Sequence, residues 1–472
     1  MAANRHSHKL HHDSTADPSG PRRNLGMVSL VGMGIGGIIG AGFFLGSGIV
    51  IRQVGPGIVL TYVLAGIILA QVMGAITSLA INVPVRSSYQ EYIHRFLGAF
   101  AGFLLGWAVF ISGVLAIGSE ATAMAVYSRT WIPTIPLGIF AVAYVLVIIA
   151  LNLFGVRDLG KAEALMSVVK SGVLVAFILT AGWVLVGGLP QRHSIALPSG
   201  NLWQGVFPHG IGAVFQGMLI VIFSYAGVTT VAMATSRAQH PQATVPKAAW
   251  LTTIAVVLLY ALSVLALVLL IGYQHLSAHQ SPFVTVLARY RLVWFGGIFN
   301  AVILIASFSV MAGTFYATEW MLISLALQRG APKYFRHAGR GRPMAALAAT
   351  AGMVLATMIL AFVLPKTVYT DLTAASSYFT FVNWLLILLA FIVWHRRRGR
   401  SEHTVSGLAF GAPYGAIVMA AAILTLGIYS VTVPSFRLGF YVFAGLTVLI
   451  VAAWLAAGRT ARSTEADGGR QP

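Results

Sequence analysis

Gly34-Ile35-Gly36-Gly37-Ile38-Ile39-Gly40-Ala41-Gly42-Phe43-Phe44-Leu45-Gly46-Ser47-Gly48 lies inside the first long apolar run of the chain, and its reading decides the fold. Glycine in a helix interior costs about 1 kcal/mol relative to alanine, so this density needs a structural reason. Two reasons compete. Small residues let helices pack closely, or the segment unwinds and its free N–H and C=O groups line a polar cavity. The residues alone leave both open. A related interruption, Ser224-Tyr225-Ala226-Gly227-Val228-Thr229-Thr230, falls in the middle of a later apolar run.

Working outward, the chain is 58% hydrophobic and 9% charged over 472 residues, too little polar surface for a water-soluble globule of this size. Apolar windows of about 20 residues predict helices near 27–48, 57–81, 98–127, 134–153, 163–187 and 208–235. A second group follows near 248–272, 295–327, 344–364, 371–395, 411–432 and 437–457. The reading is an all-α integral membrane protein of about twelve transmembrane helices. The two interruptions then stand five spans apart, the spacing expected of transporters built from inverted repeats that hold substrate at broken helices. Half-helix N-termini offer N–H groups to a carboxylate and C-termini offer carbonyls to an ammonium, which suits a zwitterion.

The charge of +19 lies in short clusters between apolar runs rather than along one face, so nucleic acid is not the expected partner; the lipid bilayer is. Of the 30 Lys+Arg, 22 fall on the N-tail, the even-numbered connections and the C-tail, 7 on the odd-numbered connections, and Lys170 inside a span. Both termini are therefore expected on the cytoplasmic side of a cell membrane. The chain has no cysteine, which excludes disulfides and thiol chemistry. His6, His8, His11 and His12 in the N-tail read as a solvated segment, and no cofactor or metal is expected. The spans offer no His or Cys constellation and no P-loop, so neither an enzyme nor an ATP-driven pump is expected. A passive channel using the same polar residues stays open.

Ionisable groups within spans are expensive and are functional candidates by default. Lys170 lies about two turns into the fifth span, where its charge must be hydrated, paired or lost. It either takes and releases a proton as access alternates or serves as a structural ammonium on helix-break carbonyls. Glu120, in the third span, is the weaker candidate for proton relay or substrate contact, with a hydrogen-bonded packing role as the alternative. Glu319 is expected to be solvated or Arg-paired, and Glu163 to be interfacial.

At these residues the chain resembles the amino acid permeases of the amino acid, polyamine and organocation (APC) transporter superfamily, in particular the bacterial amino acid transporter family. The Gly34–Gly48 stretch carries the resemblance, supported by Tyr89-Gln90-Glu91-Tyr92, Glu120-Ala121-Thr122-Ala123, Gly160-Lys161-Ala162-Glu163 and Gly330-Ala331-Pro332-Lys333-Tyr334-Phe335. It implies the leucine-transporter fold, a 5+5 inverted repeat with helices 1 and 6 broken. Residues 1–24 would then be a disordered cytoplasmic N-tail, 25–187 the first repeat and 208–395 the second. Residues 396–458 would be two peripheral helices and 459–472 a cytoplasmic C-tail.

The resemblance also implies a site. The substrate carboxylate would meet the backbone of Gly36, Ile38, Ile39, Gly40, Ala41 and Gly42, and the ammonium the carbonyls around Ile35, Phe223, Ser224 and Ala226. Tyr225 and Gly227 would shape the side-chain pocket. In proton-coupled relatives a fifth-helix lysine resembling Lys170 replaces sodium, and Ser309-Val310 lacks the hydroxyl pair that helps ligate that ion. The expectation is proton-coupled uptake of a neutral amino acid, with amino acid/amine or polyamine exchange as the alternative. Thr229, Arg237, Glu319 and Trp320 depart from the family pattern where substrate choice is decided.

Overall fold

The computed structural model describes residues 26–83, 85, 88–154, 159–187, 202–228, 241–271, 273–275, 280–336, 343–364, 367–398 and 404–468. All regular elements among them are helical. The first apolar run is three pieces, α1 (Met27–Ile38), α2 (Ala41–Phe44) and α3 (Gly46–Val54), ended by a turn at Gly55–Gly57. Gly55 takes φ +75°, which an L side chain rarely adopts, so the chain can reverse there into α4 (Ile58–Asn82). The short α5 (Gln90–Leu97) precedes α6 (Ala99–Ser128), and α7 (Leu137–Phe154) and α8 (Leu159–Leu185) follow. Next come α9 (Leu202–Val206), α10 (Gly212–Tyr225) with a 3-10 turn at Ala226–Val228, α11 (Pro241–Leu270), α12 (Pro282–Arg289) and α13 (Val293–Leu327). The chain ends in α14 (Met344–Val363), α15 (Val368–Arg398), α16 (Tyr414–Ser430) and α17 (Arg437–Gly468).

Each apolar window of the sequence falls on one or more of these helices. Among the described residues, 8 stretches are long and apolar enough to cross a bilayer, and 4 further apolar helices are shorter. One of the eight, Ala41–Asn82, contains the Gly55–Gly57 turn and so comprises more than one helix. This is an all-α, multi-pass membrane protein. The helix α17 continues to Gly468, into the stretch expected as a C-tail, where Ala456, Ala457, Ala461 and Ala466 favour helix. The expected N-tail and the atypical residues Thr229 and Arg237 lie outside the described residues.

Lipid tails are as apolar as leucine, so helices in a bilayer associate through close packing and polar contacts rather than hydrophobic drive. The centre of the bundle follows that rule. Helix α6 packs on α13 and α15, α4 on α11, and α1 on α8 and α11. Gly113 of α6 leaves no room for a Cβ beside Thr318 of α13, and a Cβ on Gly66 of α4 would lie 2.7 Å from Val257 of α11. Hydroxyls and a carboxamide supply the polar contacts: Ser119 meets Thr373 at 2.7 Å, and the Asn300 amide donates to the Tyr127 carbonyl at 3.1 Å. The outer belt is apolar, with Leu146, Leu179, Leu258, Ile359, Ile428 and Val448 exposed, as lipid contact requires.

Candidate functional site

The α1 helix stops at Ile38, and its last carbonyls must find partners outside the helix. Three are satisfied in three ways. The Ile39 N–H donates to the Ile35 carbonyl at 3.0 Å, the Lys170 ammonium donates to the Gly36 carbonyl at 2.6 Å, and the Tyr260 hydroxyl donates to the Ile38 carbonyl at 3.1 Å. Gly40 is extended, and α2 then starts with free N–H groups. The Ala41 N–H donates to Glu120, 3.1 Å from each carboxylate oxygen, with the Gly42 N–H beside it. A cation therefore caps the C-terminus of one helix piece and an anion the N-terminus of the next, each complementing the local helix dipole. Both side chains are buried, Lys170 at 1% and Glu120 at 4% exposure.

The second interruption faces the first. Ser224, near the end of α10, donates its hydroxyl to the Gly42 carbonyl at 2.6 Å. Its own carbonyl shares the single Tyr260 hydroxyl proton with the Ile38 carbonyl, at 3.3 Å, and the Phe223 carbonyl accepts from the Ala226 N–H. The Tyr369 hydroxyl donates to the Ala41 carbonyl at 3.0 Å, and Tyr225 donates to the Tyr62 carbonyl at 3.2 Å. Glycine is required where the two segments touch. A Cβ on Gly42 would lie 2.9 Å from the Phe223 ring and 3.1 Å from the Ser224 Cα, and one on Gly227 would run into the Gly37 carbonyl.

A cavity of about 90 Å³ opens beside the two interruptions, bounded by α1, α2, α6, α10, α13 and α15. At 1.5 Å per residue it extends about 16 Å along α6, from Glu120 to Val109. Of the residues expected from the sequence, Ile38, Gly42, Phe223, Ser224, Ala226, Gly227 and Glu120 line it. Ile35, Gly36, Ile39, Gly40, Ala41, Tyr225 and Lys170 are outside the lining; they set the backbone course and the charge beside it. Tyr225 is directed to Tyr62 instead of the cavity.

Sequence reasoning missed Gly37, Ser112, Thr314, Thr318, Ser376, Thr380 and Asn383, which also line the cavity, and the capping hydroxyls of Tyr260 and Tyr369. The lining residues carry a legible signal. Ser376, Thr380 and Asn383 recur at i, i+4, i+7, a polar stripe on one face of an otherwise apolar helix. Glu319, expected to be solvated or Arg-paired, is buried at 8% exposure, and Trp320, one of the departures from the family pattern, is 37% exposed. The side chain of Glu163 lies outside the described residues.

The amino acid permease family pattern matches residues 29–466. Amino-acid permease RocC of Bacillus subtilis (strain 168) is 29% identical over 447 residues, covering 93% of this chain and 94% of RocC. The aromatic amino acid transport protein AroP of Escherichia coli (strain K12) is 28% identical over 438 residues, with 92% and 94% covered. The uncharacterized transporter YcgH of Bacillus subtilis (strain 168) is 30% identical over 433 residues, with 91% and 94% covered. With a family match along nearly its whole length and an all-helical membrane fold, this chain is a transporter and not an enzyme, and it belongs to the amino acid permease family of the APC superfamily.

Proposed function

We propose that this permease is a secondary active carrier that takes up a neutral amino acid together with a proton across the cell membrane. The observation that carries the reading is the pair of interrupted helices set against one cavity, within a chain of the amino acid permease family. The twelve apolar stretches form a 5+5 inverted repeat, residues 25–187 and 208–395, followed by peripheral helices at 396–458. Both termini face the cytoplasm. The cavity gains access to each side in turn as the bundle rocks about it.

The substrate carboxylate binds the backbone N–H groups around Gly40, Ala41 and Gly42, and the ammonium binds carbonyls of Ile35, Phe223, Ser224 and Ala226. The Ala41 and Gly42 N–H groups and the Ile35, Phe223 and Ser224 carbonyls already have partners within the protein, so binding is an exchange. Glu120 yields Ala41 to the incoming carboxylate, and the released charge is compensated by Lys170, which is close enough to act on Glu120 electrostatically. Lys170 is the proton-linked group and Glu120 its secondary partner. A lysine that holds the Gly36 carbonyl when charged loses that grip when neutral, which ties protonation to the geometry of the break.

Purified protein in proteoliposomes is expected to accumulate labelled neutral amino acids saturably when the lumen is alkaline relative to the bath. An ionophore that collapses the gradient is expected to abolish accumulation. Linear, unsaturable flux would make the protein a channel. Counterflow indifferent to the gradient would make it an exchanger.

A further inference from the structure

Resting on the reading of the cavity as the substrate site, we infer that the permease selects a small uncharged amino acid whose side chain carries a hydroxyl or carboxamide, received between α6, α13 and α15. The cavity is chemically divided along its length. Glu120 lies against the break, bonded to Ala41, whereas further along α6 Ser112 meets Ser376 and Gly113 meets Thr318, so a zwitterion anchored at the break directs its side chain toward these. Ser112 of α6 stands eight residues before Glu120, about 12 Å away along the helix. Ser376 and Thr380 bond to it and Thr318 lies against its neighbour Gly113, while Thr314 and Asn383 line the same cavity.

This end is built for hydrogen bonds and for no charge. Glu120 is the sole ionisable group among the described lining residues, and it is at the opposite end and engaged by Ala41. Among the described lining residues a cationic side chain finds no acid beside it at this end and an acidic one finds no base. Phe223 is the sole aromatic ring among the described lining residues, and about 90 Å³ corresponds to roughly six to nine water sites, a volume for a short side chain. Ser112, Ser376 and Thr380 bond to one another, Ser112 to Ser376 at 2.9 Å and Thr380 to the Ser376 carbonyl at 3.1 Å, which holds the wall rigid.

Thr314 and Thr318 supply the specific groups. Both line the cavity, and a ligand O–H or amide N–H bonds to their hydroxyls. Asn383, 5% exposed with its amide beside the Tyr89 hydroxyl, lines the same cavity. An apolar side chain displaces water from the two threonine hydroxyls and leaves them unmatched, and sites of this kind discriminate against analogues that lack the polar group.

The test is competition and uptake in proteoliposomes with labelled L-serine, L-threonine, L-asparagine, L-valine, L-leucine, L-phenylalanine and L-lysine. The three polar substrates are expected to compete at concentrations at least tenfold lower than the other four. The shape-preserving Thr314→Val and Thr318→Val are each expected to reduce the threonine-over-valine preference by about tenfold. Strongest uptake of phenylalanine or lysine, or an unchanged threonine-over-valine ratio in both variants, would overturn the inference while leaving the permease assignment intact. Absence of saturable uptake for all seven would instead overturn the proposed site and transport mode on which it rests.

Discussion

Lys170 and Glu120 show how two single residues make a broken helix tolerable inside a membrane. The break strands carbonyls at Gly36 and Ile38 and an N–H at Ala41, far from bulk water, where each unmet group costs several kcal/mol. Lys170 meets the first and Glu120 the last. Glu120→Gln keeps a carbonyl acceptor for the Ala41 N–H, whereas Glu120→Ala removes it. The alanine variant is therefore expected to lose about 1–3 kcal/mol of stability and the glutamine variant less, read as thermal midpoints in detergent. Lys170→Met keeps the length of the side chain and removes its donors. Uptake by that variant is expected to lose its dependence on pH, and an unaltered pH profile in proteoliposomes would reject the proton-linked role.

At the scale of elements, the arrangement depends on α1 and the end of α10 approaching backbone to backbone. Gly227 against the Gly37 carbonyl is the tightest such approach, and Gly42 against Ser224 is its neighbour. Gly227→Ala is expected to separate the two segments, cost about 1–3 kcal/mol and abolish uptake, since the obstacle is backbone that has no rotamer to change. Gly172→Ala is the matched control: α8 has nothing within 4 Å of a Cβ there, so helix propensity favours the alanine by about 1 kcal/mol and uptake is retained. Equal behaviour of the two variants in a thermal-shift and uptake assay would show that close approach at the break is dispensable.

For the molecule as a whole, the bundle turns an apolar sequence outward and a polar stripe inward. Helix α6 is its axis, carrying Glu120 at the break and Ser112 deeper along the same face. The basic clusters, five residues from Arg329 to Arg342 and four from Arg396 to Arg400, are expected to orient the whole. Reporter fusions at residue 1 and residue 472 are expected both to read cytoplasmic. Opposite readings would mean an odd number of crossings and would remove the basis for a 5+5 repeat.

The helices and their order were legible because bilayer thickness imposes an apolar period of about 20 residues that composition alone displays. The interruption at Gly34–Gly48 was legible as a feature, since glycine density is a local property. Its cause was not: on the residues alone, packing and unwinding were equal explanations, and the structure contains both, unwound at Ile39–Gly40 and closely packed at Gly42 and Gly227. Tertiary structure alone decided that the backbone groups freed at the first break are already held by Lys170, Glu120 and Tyr260, because those partners lie 79 to 222 residues away in the chain. It also decided that Tyr225 faces Tyr62 while Thr380 and Asn383 line the cavity. Which way a polar side chain turns on a helix depends on the neighbour it meets, and a single chain read in order carries the spacing of such residues but not their neighbours.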